Sequence, residues 1–277
     1  MEEYYFLFAL GVFWTIFAVV QDLRTREVAN WLNFSLIVGA LAYRGVYSFI
    51  YSDLNFFVFG VLGFVIFFLL AQAFYYGRVF AGGDAKLLMG YGVLLPYGSY
   101  IDLLIVGGGF VILLFLIGAL WSLAYSALIV KRNWGKFRKD FLRKIKKAKW
   151  IFVFYSILLL FLIMLMGIRA GALFWMLFGI LYLTFIYVKS LEICMIKKIK
   201  AKDLREGDWL ENDVRIGKYT IRKSVHGLSL EEIERLRKAK KSVLIKDGIP
   251  FTPAFLISLG IMVYVYLTSG FYFLQVF

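Results

Sequence analysis

The chain is poor in the residues that build disulfides, metal sites and histidine-dependent active sites. Among its 277 residues there is one cysteine, Cys194, and one histidine, His226. A single cysteine excludes an internal disulfide and a cysteine-cluster metal site, and a single histidine has no second histidine with which to share a metal. A Ser-His-Asp triad on His226 has equally little support, because that residue lies beside Gly227 in a polar segment and is best interpreted as a surface or turn residue.

Acidic residues are also scarce, at 18 against 32 lysines and arginines, which gives a net charge of +14. Such an excess suits nucleic acid when the basic residues line a groove. Here they collect in the connections between apolar segments, most densely in residues 131–149. This placement is typical of a membrane protein whose positive charges fix its topology, and we expect no nucleic-acid partner.

Apolar sequence is abundant: 62% of the residues are hydrophobic, and the mean hydropathy is +0.78. These values exceed those of soluble domains and predict an all-α polytopic membrane protein, a bundle of about six to eight transmembrane helices. The first segment starts with two glutamates and has no cleavage-site pattern, so we expect a retained membrane helix and not a removed signal peptide. The predicted spans are residues 4–20, 31–50, 54–75, 101–130, 150–168, 170–188 and 250–277, with a short eighth segment at 85–95 that either spans or packs inside the bundle.

The charges of successive connections alternate along the chain. By the positive-inside rule the basic connections are cytoplasmic, so we expect a multi-pass protein of the plasma membrane with both termini outside. Every connection agrees with this topology except the short turn that carries Arg169. The basic side holds Arg24, Arg26, Arg78, Lys86 and the loop 131–149, and the opposite side holds Glu2, Glu3, Asp53 and Asp102.

One sizeable polar region interrupts the apolar pattern before the last span. We predict a membrane bundle over residues 1–190, a small cytoplasmic α+β domain over 191–249 and a C-terminal transmembrane helix over 250–277. Within the polar region, residues 195–200 and 213–223 have the pattern of strands. Ser229, followed three residues later by Glu232, is a capping box that predicts one short helix.

Two aspartates at the ends of apolar segments are the best candidates for chemistry. Asp22 ends the first segment, and Asp84 begins the fourth, in the stretch Phe80-Ala81-Gly82-Gly83-Asp84-Ala85-Lys86. An acid beside a lipid-bounded helix is costly to ionise, which makes it a functional-site hypothesis. The topology places both near the cytoplasmic boundary, although they are 62 positions apart. Two close carboxylates share one proton and supply the base and the acid that peptide hydrolysis needs.

Each aspartate also has a purely structural interpretation. Asp22 alone would suit a helix-end acid that balances Arg24 or Arg26, since such surface pairs are common and weak. Asp84 alone would suit the N-cap of the fourth helix, a role compatible with catalysis. The rival acids map to the external side: Asp53 and Asp102.

Three blocks of this sequence resemble the type IV prepilin peptidases, and more closely their archaeal branch, the preflagellin (prearchaellin) peptidases. Residues 22–31 look like the family's first catalytic-aspartate region. Residues 82–86 are similar to the Gly-x-Gly-Asp signature shared with presenilin-type proteases, although Ala81 stands where that signature begins with glycine. Residues 248–254 look like the Pro-Phe-x-Pro entry to the family's last membrane helix.

The resemblance implies a membrane-embedded aspartyl endopeptidase with Asp22 and Asp84 as its catalytic pair and with no metal or organic cofactor. We assign supporting or substrate-access roles to Gly82, Gly83, Lys86 and Arg24. The implied substrates are class III signal-bearing precursors, flagellin or pilin-like, whose short basic leader is cut off at the cytoplasmic face. The other expected partner is membrane lipid.

Other readings of the same residues remain open at this stage. One is a protease that cuts within a transmembrane helix, in the manner of presenilin. Another is an ion- or proton-coupled transporter in which Asp22 and Asp84 bind a cation, although no repeated halves are visible. A third is a membrane scaffold whose polar domain binds partners. Arg44, inside the second apolar segment, either snorkels to the surface or pairs within the bundle.

Overall fold

The structure is a computed structural model that describes residues 2–217, 219–224 and 227–269. The chain forms two compact units, Met1–Ala124 with Pro250–Phe277, and Tyr125–Ile249. His226 lies outside the described residues, as do residues 270–277 of the predicted last span.

The first unit is a bundle of apolar helices. Six helices in the described part of the chain are long and apolar enough to cross a membrane, or seven if a bent pair in the second unit is one span. The predicted polytopic helical membrane protein is thereby confirmed. The helices of this unit, after a 3-10 turn at Glu2–Tyr4, are α1 (Tyr5–Thr25), α2 (Asn30–Tyr51), α3 (Leu54–Tyr76), α4 (Gly82–Leu94), α5 (Tyr100–Arg132, which continues into the second unit) and α9 (Thr252–Ser269).

Helix α4 is the predicted short eighth segment, and it packs inside the bundle. Its 13 residues are too few to span a bilayer, and nearly every residue from Ala85 to Leu94 is buried. It lies so close to α3 that a Cβ atom on Gly63 would stand 2.2 Å from the carbonyl oxygen of Gly92. Only glycine allows two backbones to approach this closely. The contact therefore fixes α4 against α3.

The second unit begins with helices where a basic loop was predicted over residues 131–149. Most of the basic segment 131–149 is helical, as the end of α5 and as α6 (Trp134–Lys147), because apolar Phe137, Phe141 and Ile145 recur on one face. Helix α7 (Lys149–Cys194) breaks at Gly167, whose φ of 80° is left-handed. The two arms fold back on each other, with the rings of Phe152 and Tyr182 5.6 Å apart. The predicted pair of apolar segments is this hairpin.

The polar region is a small α+β module with its own apolar core. Strand β1 (Ile196–Lys200) is the first of the two predicted strand segments, and the second forms the hairpin of β3 (Val214–Ile216) with β4 (Tyr219–Ile221). The predicted capping box is confirmed, since Ser229 and Glu232 bond reciprocally at the start of α8 (Leu230–Lys238). The other strands are β2 (Trp209–Leu210) and β5 (Ser242–Lys246), and the three-stranded antiparallel sheet has the order β1-β5-β2 with Ile199 opposite Val243.

Candidate active site

Asp22 lies in the last turn of α1, on the face that packs into the bundle. The side chain is only 7% exposed, whereas Arg24 is exposed to solvent. Arg24 forms no ion pair with any described residue, so Asp22, which is buried, is not its surface partner. The buried face of α1 has a spacing of three or four residues, which aims Asp22 inward: Leu7, Gly11, Thr15, Ala18 and Asp22.

The carboxylate of Asp22 is held by the first residue of the last helix. Thr252 donates to the same oxygen, Oδ2, from its backbone nitrogen at 3.2 Å and from its hydroxyl at 2.9 Å. Pro253 follows in the first turn of α9, where its missing N–H costs no hydrogen bond. Because Oδ2 accepts two donors, a proton shared with another acid would sit on Oδ1 or on that acid.

Asp84 is the third residue of α4, and its neighbourhood makes it a weak acid. The N-cap is Ala81, so the interpretation of Asp84 as the N-cap is wrong. The carboxylate of Asp84 instead accepts the backbone N–H of Ala81 across the first turn. Burial and, to a smaller extent, the charge of Asp22 together raise the pKa of Asp84 to about 7. The two carboxylates are therefore close enough to repel each other.

The connection between α1 and α2 brings the two aspartates together. Arg26 turns the chain out of α1 with a left-handed φ of 60°. The next residues return beneath α4, where the nitrogen and Cβ of Val28 lie 3.5 Å from the Cβ position of Gly83. Gln21 fixes this connection by accepting the N–H of Ala29 at 3.0 Å. The segment that follows Asp22 is thus packed directly against the segment that precedes Asp84.

Lys86 secures the start of α4 from the other side. Its ammonium donates to the side-chain oxygen of Asn30, the first residue of α2, at 2.6 Å. Lys86 is therefore not a free cation. Its hydrogen bond links the N-terminal ends of α4 and α2. The described residues contain no group of three or more His, Cys, Asp or Glu that would hold a metal ion.

The far end of α4 is held by Arg44, which is completely buried. Its guanidinium donates to the carbonyls of Val93 at 2.8 Å, Leu95 at 2.7 Å and Phe56 at 2.8 Å. The charge also lies 4.6 Å from the centre of the Phe56 ring. A helix C-terminus leaves carbonyls without intrahelical donors and carries partial negative charge, so a buried guanidinium satisfies both needs. Arg44 pairs within the bundle with backbone and does not snorkel.

The glycines before Asp84 adopt ordinary backbone conformations. Ala81 has φ −70° and ψ 162°, which any residue adopts, so the alanine in place of the signature's first glycine causes no strain. Gly82 and Gly83 are the first two helical residues, and neither has a positive φ. A Cβ atom on Gly82 would lie 3.7 Å from the Tyr75 ring, an ordinary contact.

Comparison with known proteins shows what this chain is similar to. Residues 9–131 match the model of the type IV leader peptidase family. The predicted resemblance to prepilin and preflagellin peptidases is confirmed by this match, which contains both Asp22 and Asp84. The block at residues 248–254 lies beyond the matched part. No solved structure matches the chain.

Three curated relatives of the type IV leader peptidase segment are named preflagellin peptidase. That of Methanocaldococcus jannaschii is 34% identical over 89 residues, and that of Methanococcus maripaludis is 34% identical over 92. That of Methanococcus voltae is 28% identical over 89 residues. The matches cover 32–33% of this chain and 38% of each relative. The chain thus spans less than two fifths of the length of these relatives.

Two residues of the site were not assigned from the sequence. Thr252 stood inside a recognised block, and its position before Pro253 is typical of a helix start, but nothing in the sequence indicated a bond to Asp22, 230 positions away. Arg44 was noticed as a charge inside an apolar segment, which is itself the signal of a buried functional or structural site. Its partners are backbone carbonyls, which sequence patterns do not identify.

Proposed function

We propose that this chain is a membrane-embedded aspartyl endopeptidase that removes the short basic leader peptide from preflagellin and type IV pilin-like precursors. One observation carries the proposal: Asp22 and Asp84, from two different helices, are close enough for the charge of one to raise the pKa of the other. A carboxylate pair that holds one proton at neutral pH is the arrangement that aspartyl proteolysis requires. The family match over both residues supports the same reaction.

We propose a separate role for each aspartate, supported by the hydrogen bonds of Asp22 and by the raised pKa of Asp84. Asp84 carries the shared proton, since its pKa is raised, and Asp22 is the base, with Oδ1 directed to the water because Thr252 occupies Oδ2. Asp22 takes a proton from water as the oxygen attacks the scissile carbonyl, and Asp84 gives its proton to the carbonyl oxygen. The proton on Asp22 then passes to the leaving amine as the C–N bond breaks. The attack of water gives a tetrahedral diol at the scissile carbon. When the C–N bond breaks, one hydroxyl proton of this diol returns to Asp84, so Asp84 is again protonated and Asp22 is again ionised.

The charge distribution supports a location at the cytoplasmic face of the plasma membrane. Arg24 and the basic residues of segment 131–149 belong to connections that the positive-inside rule assigns to the cytoplasm. A basic leader stays on that side for the same reason, so its cut site would reach the ends of α1 and α4. We propose that Gly82 and Gly83 leave room there for the extended backbone of the substrate.

The test is cleavage by purified protein followed by sequencing of the new N-terminus. Preflagellin and prepilin precursors are incubated with wild type, with Asp22→Asn, with Asp84→Asn and with Asp102→Asn as the matched control. Asp102 caps a turn by accepting the N–H of Gly98 at 3.0 Å, outside the proposed site. We expect wild type and the control to cut at the end of the leader, and the other two variants to be folded and inactive.

Three results would contradict the proposal. Full cleavage by either Asp22→Asn or Asp84→Asn would remove that aspartate from the mechanism. A new N-terminus inside the hydrophobic helix of the substrate would instead identify an intramembrane protease. Aspartate-dependent ion uptake into proteoliposomes without any proteolysis would identify a transporter.

A further inference from the structure

The bend between α6 and α7 joins a strongly basic helix to an apolar one. Helix α6 carries seven lysines and arginines and one acid, Asp140. The axes of α6 and of the first arm of α7, Lys149–Leu165, differ by 53°. Buried Ala148 forms the corner, and its N–H still bonds to the carbonyl of Lys144 at 2.9 Å. The chain therefore changes from a basic helix to an apolar helix at this bend.

Most of the cations on this segment form no ion pair within the described part of the chain. Asp140 is buried and pairs with Arg143 and Lys144, which uses the single acid of the helix. The remaining cations form no ion pair with any described residue, and all of them are exposed: Lys136, Arg138, Lys139, Lys146, Lys147 and Lys149. An uncompensated basic surface beside a membrane attracts anionic lipid headgroups.

A groove at the corner has the two-part lining that a phospholipid needs. It has a volume of about 520 Å³, with Lys146 and Lys149 at one end and Phe152 and Val153 at the other. Lys149, Phe152 and Val153 follow a spacing of three or four positions and share one face of α7, and Lys146 lies in the last turn of α6, just before the bend. The lysines precede the apolar arm Lys149–Leu165 along the chain. If this arm enters a bilayer, the lysines would lie near the lipid phosphates and the apolar side chains near the acyl chains.

A second groove extends the basic surface along α6. Its volume is about 540 Å³, and Lys139, Arg143 and Lys147 contribute to its lining. Lys146 lines both grooves, so the basic surface continues from α6 to the corner without interruption. A basic peptide leader would be repelled here. The complementary occupant is an anion with a long apolar tail.

We propose that the groove lined by Lys146, Lys149, Phe152 and Val153 is a binding site for an anionic phospholipid. The two ammonium groups contact the headgroup phosphate, and the apolar residues contact the first part of an acyl chain. The site does not depend on the proteolysis proposed above. It is tested with the full chain in detergent, by a measurement that does not involve substrate.

The experiment counts bound lipids by native mass spectrometry as phospholipid is titrated. The probes are dioleoyl phosphatidylglycerol, dioleoyl phosphatidylcholine, short-chain dihexanoyl phosphatidylglycerol and inorganic phosphate. The test variant is Lys146→Gln with Lys149→Gln, and the control is Lys202→Gln with Lys238→Gln, which makes the same charge change at exposed positions of the α+β module. Circular dichroism shows that each variant is folded.

We expect wild type and the control to bind long-chain phosphatidylglycerol more tightly than phosphatidylcholine. Loss of two lysines should weaken this binding about 30-fold, from roughly a five- to sixfold factor for each lysine. Short-chain lipid should bind less tightly, since it leaves the apolar end unfilled. Equal binding of phosphatidylglycerol by the test variant and wild type would overturn the proposal. The proposal would also be overturned if wild type bound phosphatidylcholine as tightly as phosphatidylglycerol. Binding of inorganic phosphate as tight as that of the lipid would overturn it too, since the groove would then be a simple anion site.

Discussion

Thr252 binds one oxygen of Asp22 with two donors, although 230 positions separate these residues. The contact joins the end of the first helix to the start of the last and leaves the other oxygen of Asp22 for chemistry. Both side chains are buried, so the hydroxyl bond lies in a medium of low dielectric, where bonds to charged groups are strongest. The relationship explains why the last helix is part of the site.

Replacement of Thr252 by valine should lower kcat without preventing folding. Valine keeps the shape and the backbone N–H but removes the hydroxyl that orients Asp22. A hydrogen bond to a charged group contributes about 1.5–3 kcal/mol, so we expect a loss of roughly 10- to 100-fold in kcat. Thr252→Ser should restore most of the activity. The control is Thr268→Val, which removes local bonds to the carbonyls of Tyr264 and Val265; an equal loss in both variants would contradict an effect through Asp22.

Activity should fall as the pH rises through about 7. Burial and the charge of Asp22 raise the pKa of Asp84 to about 7, so below this pH Asp84 holds the proton that it must donate. Above it the proton is lost, and kcat/KM should decrease by roughly tenfold per pH unit. The measurement is initial cleavage rate against pH in constant ionic strength. A rate that stays level from pH 6 to 9 would show that Asp84 is not the acid.

The same shift predicts that Asp84→Asn is more stable than wild type in alkaline buffer. An ordinary aspartate in the unfolded chain ionises near pH 3.9, whereas folded Asp84 keeps its proton to about pH 7. Wild type therefore loses stability as the pH rises between these values, and the amide variant does not. Thermal unfolding in detergent at pH 4.5, 6 and 8 should show an advantage that grows to pH 7 and then stays constant. An advantage independent of pH would exclude titration of Asp84 as its cause.

The sequence predicted most of the helices, because a membrane span is a continuous local pattern. Helices α2 and α3 begin and end within about a residue of the predicted spans. Helix α1 continues to Thr25, five residues past its predicted end, since Gln21 and Asp22 are polar yet still helical and the chain leaves the helix only at Arg26. Local chemistry also identified the capping box of Ser229.

Local sequence patterns did not predict how the helices of the site pack together. Helix α4 is short because it is enclosed, and that follows from its glycine contact with α3 and from the three carbonyls that Arg44 satisfies. Both depend on residues distant in sequence. The two aspartates were chosen for the cost of burying an acid, a local argument, but the residue that orients Asp22 belongs to the last helix. The basic segment 131–149 was predicted to be a loop because its many lysines and arginines are the more obvious pattern. The helical spacing of its aromatic residues is a weaker signal.

Substitutions at Gly83 should separate space for the substrate from stability of the fold. Alanine makes only ordinary contacts, since its Cβ atom would stand 3.5 Å from Val28, and the variant should fold normally. Leucine would displace the connection after Asp22 and move the aspartates apart. We expect reduced kcat/KM for Gly83→Ala through a raised KM, and loss of kcat for Gly83→Leu. Gly108→Leu is the matched control, because nothing lies within 4 Å of its Cβ position; a leucine effect of equal size there would contradict a local cause.

Removal of the Arg44 guanidinium should destabilise the bundle and reduce catalysis together. In Arg44→Met the side chain still fills the core, but the carbonyls of Val93, Leu95 and Phe56 lose their donors. A buried group left without a hydrogen bond costs about 1–3 kcal/mol, so we expect a loss of roughly 3–5 kcal/mol after partial relaxation. The midpoint of unfolding in detergent measures this, with exposed Arg169→Met as control. Arg44→Lys keeps the charge but not the fork of donors, and its midpoint should fall between the two. An unfolding midpoint of Arg44→Met equal to that of wild type would mean that α4 is held by its glycine contact alone.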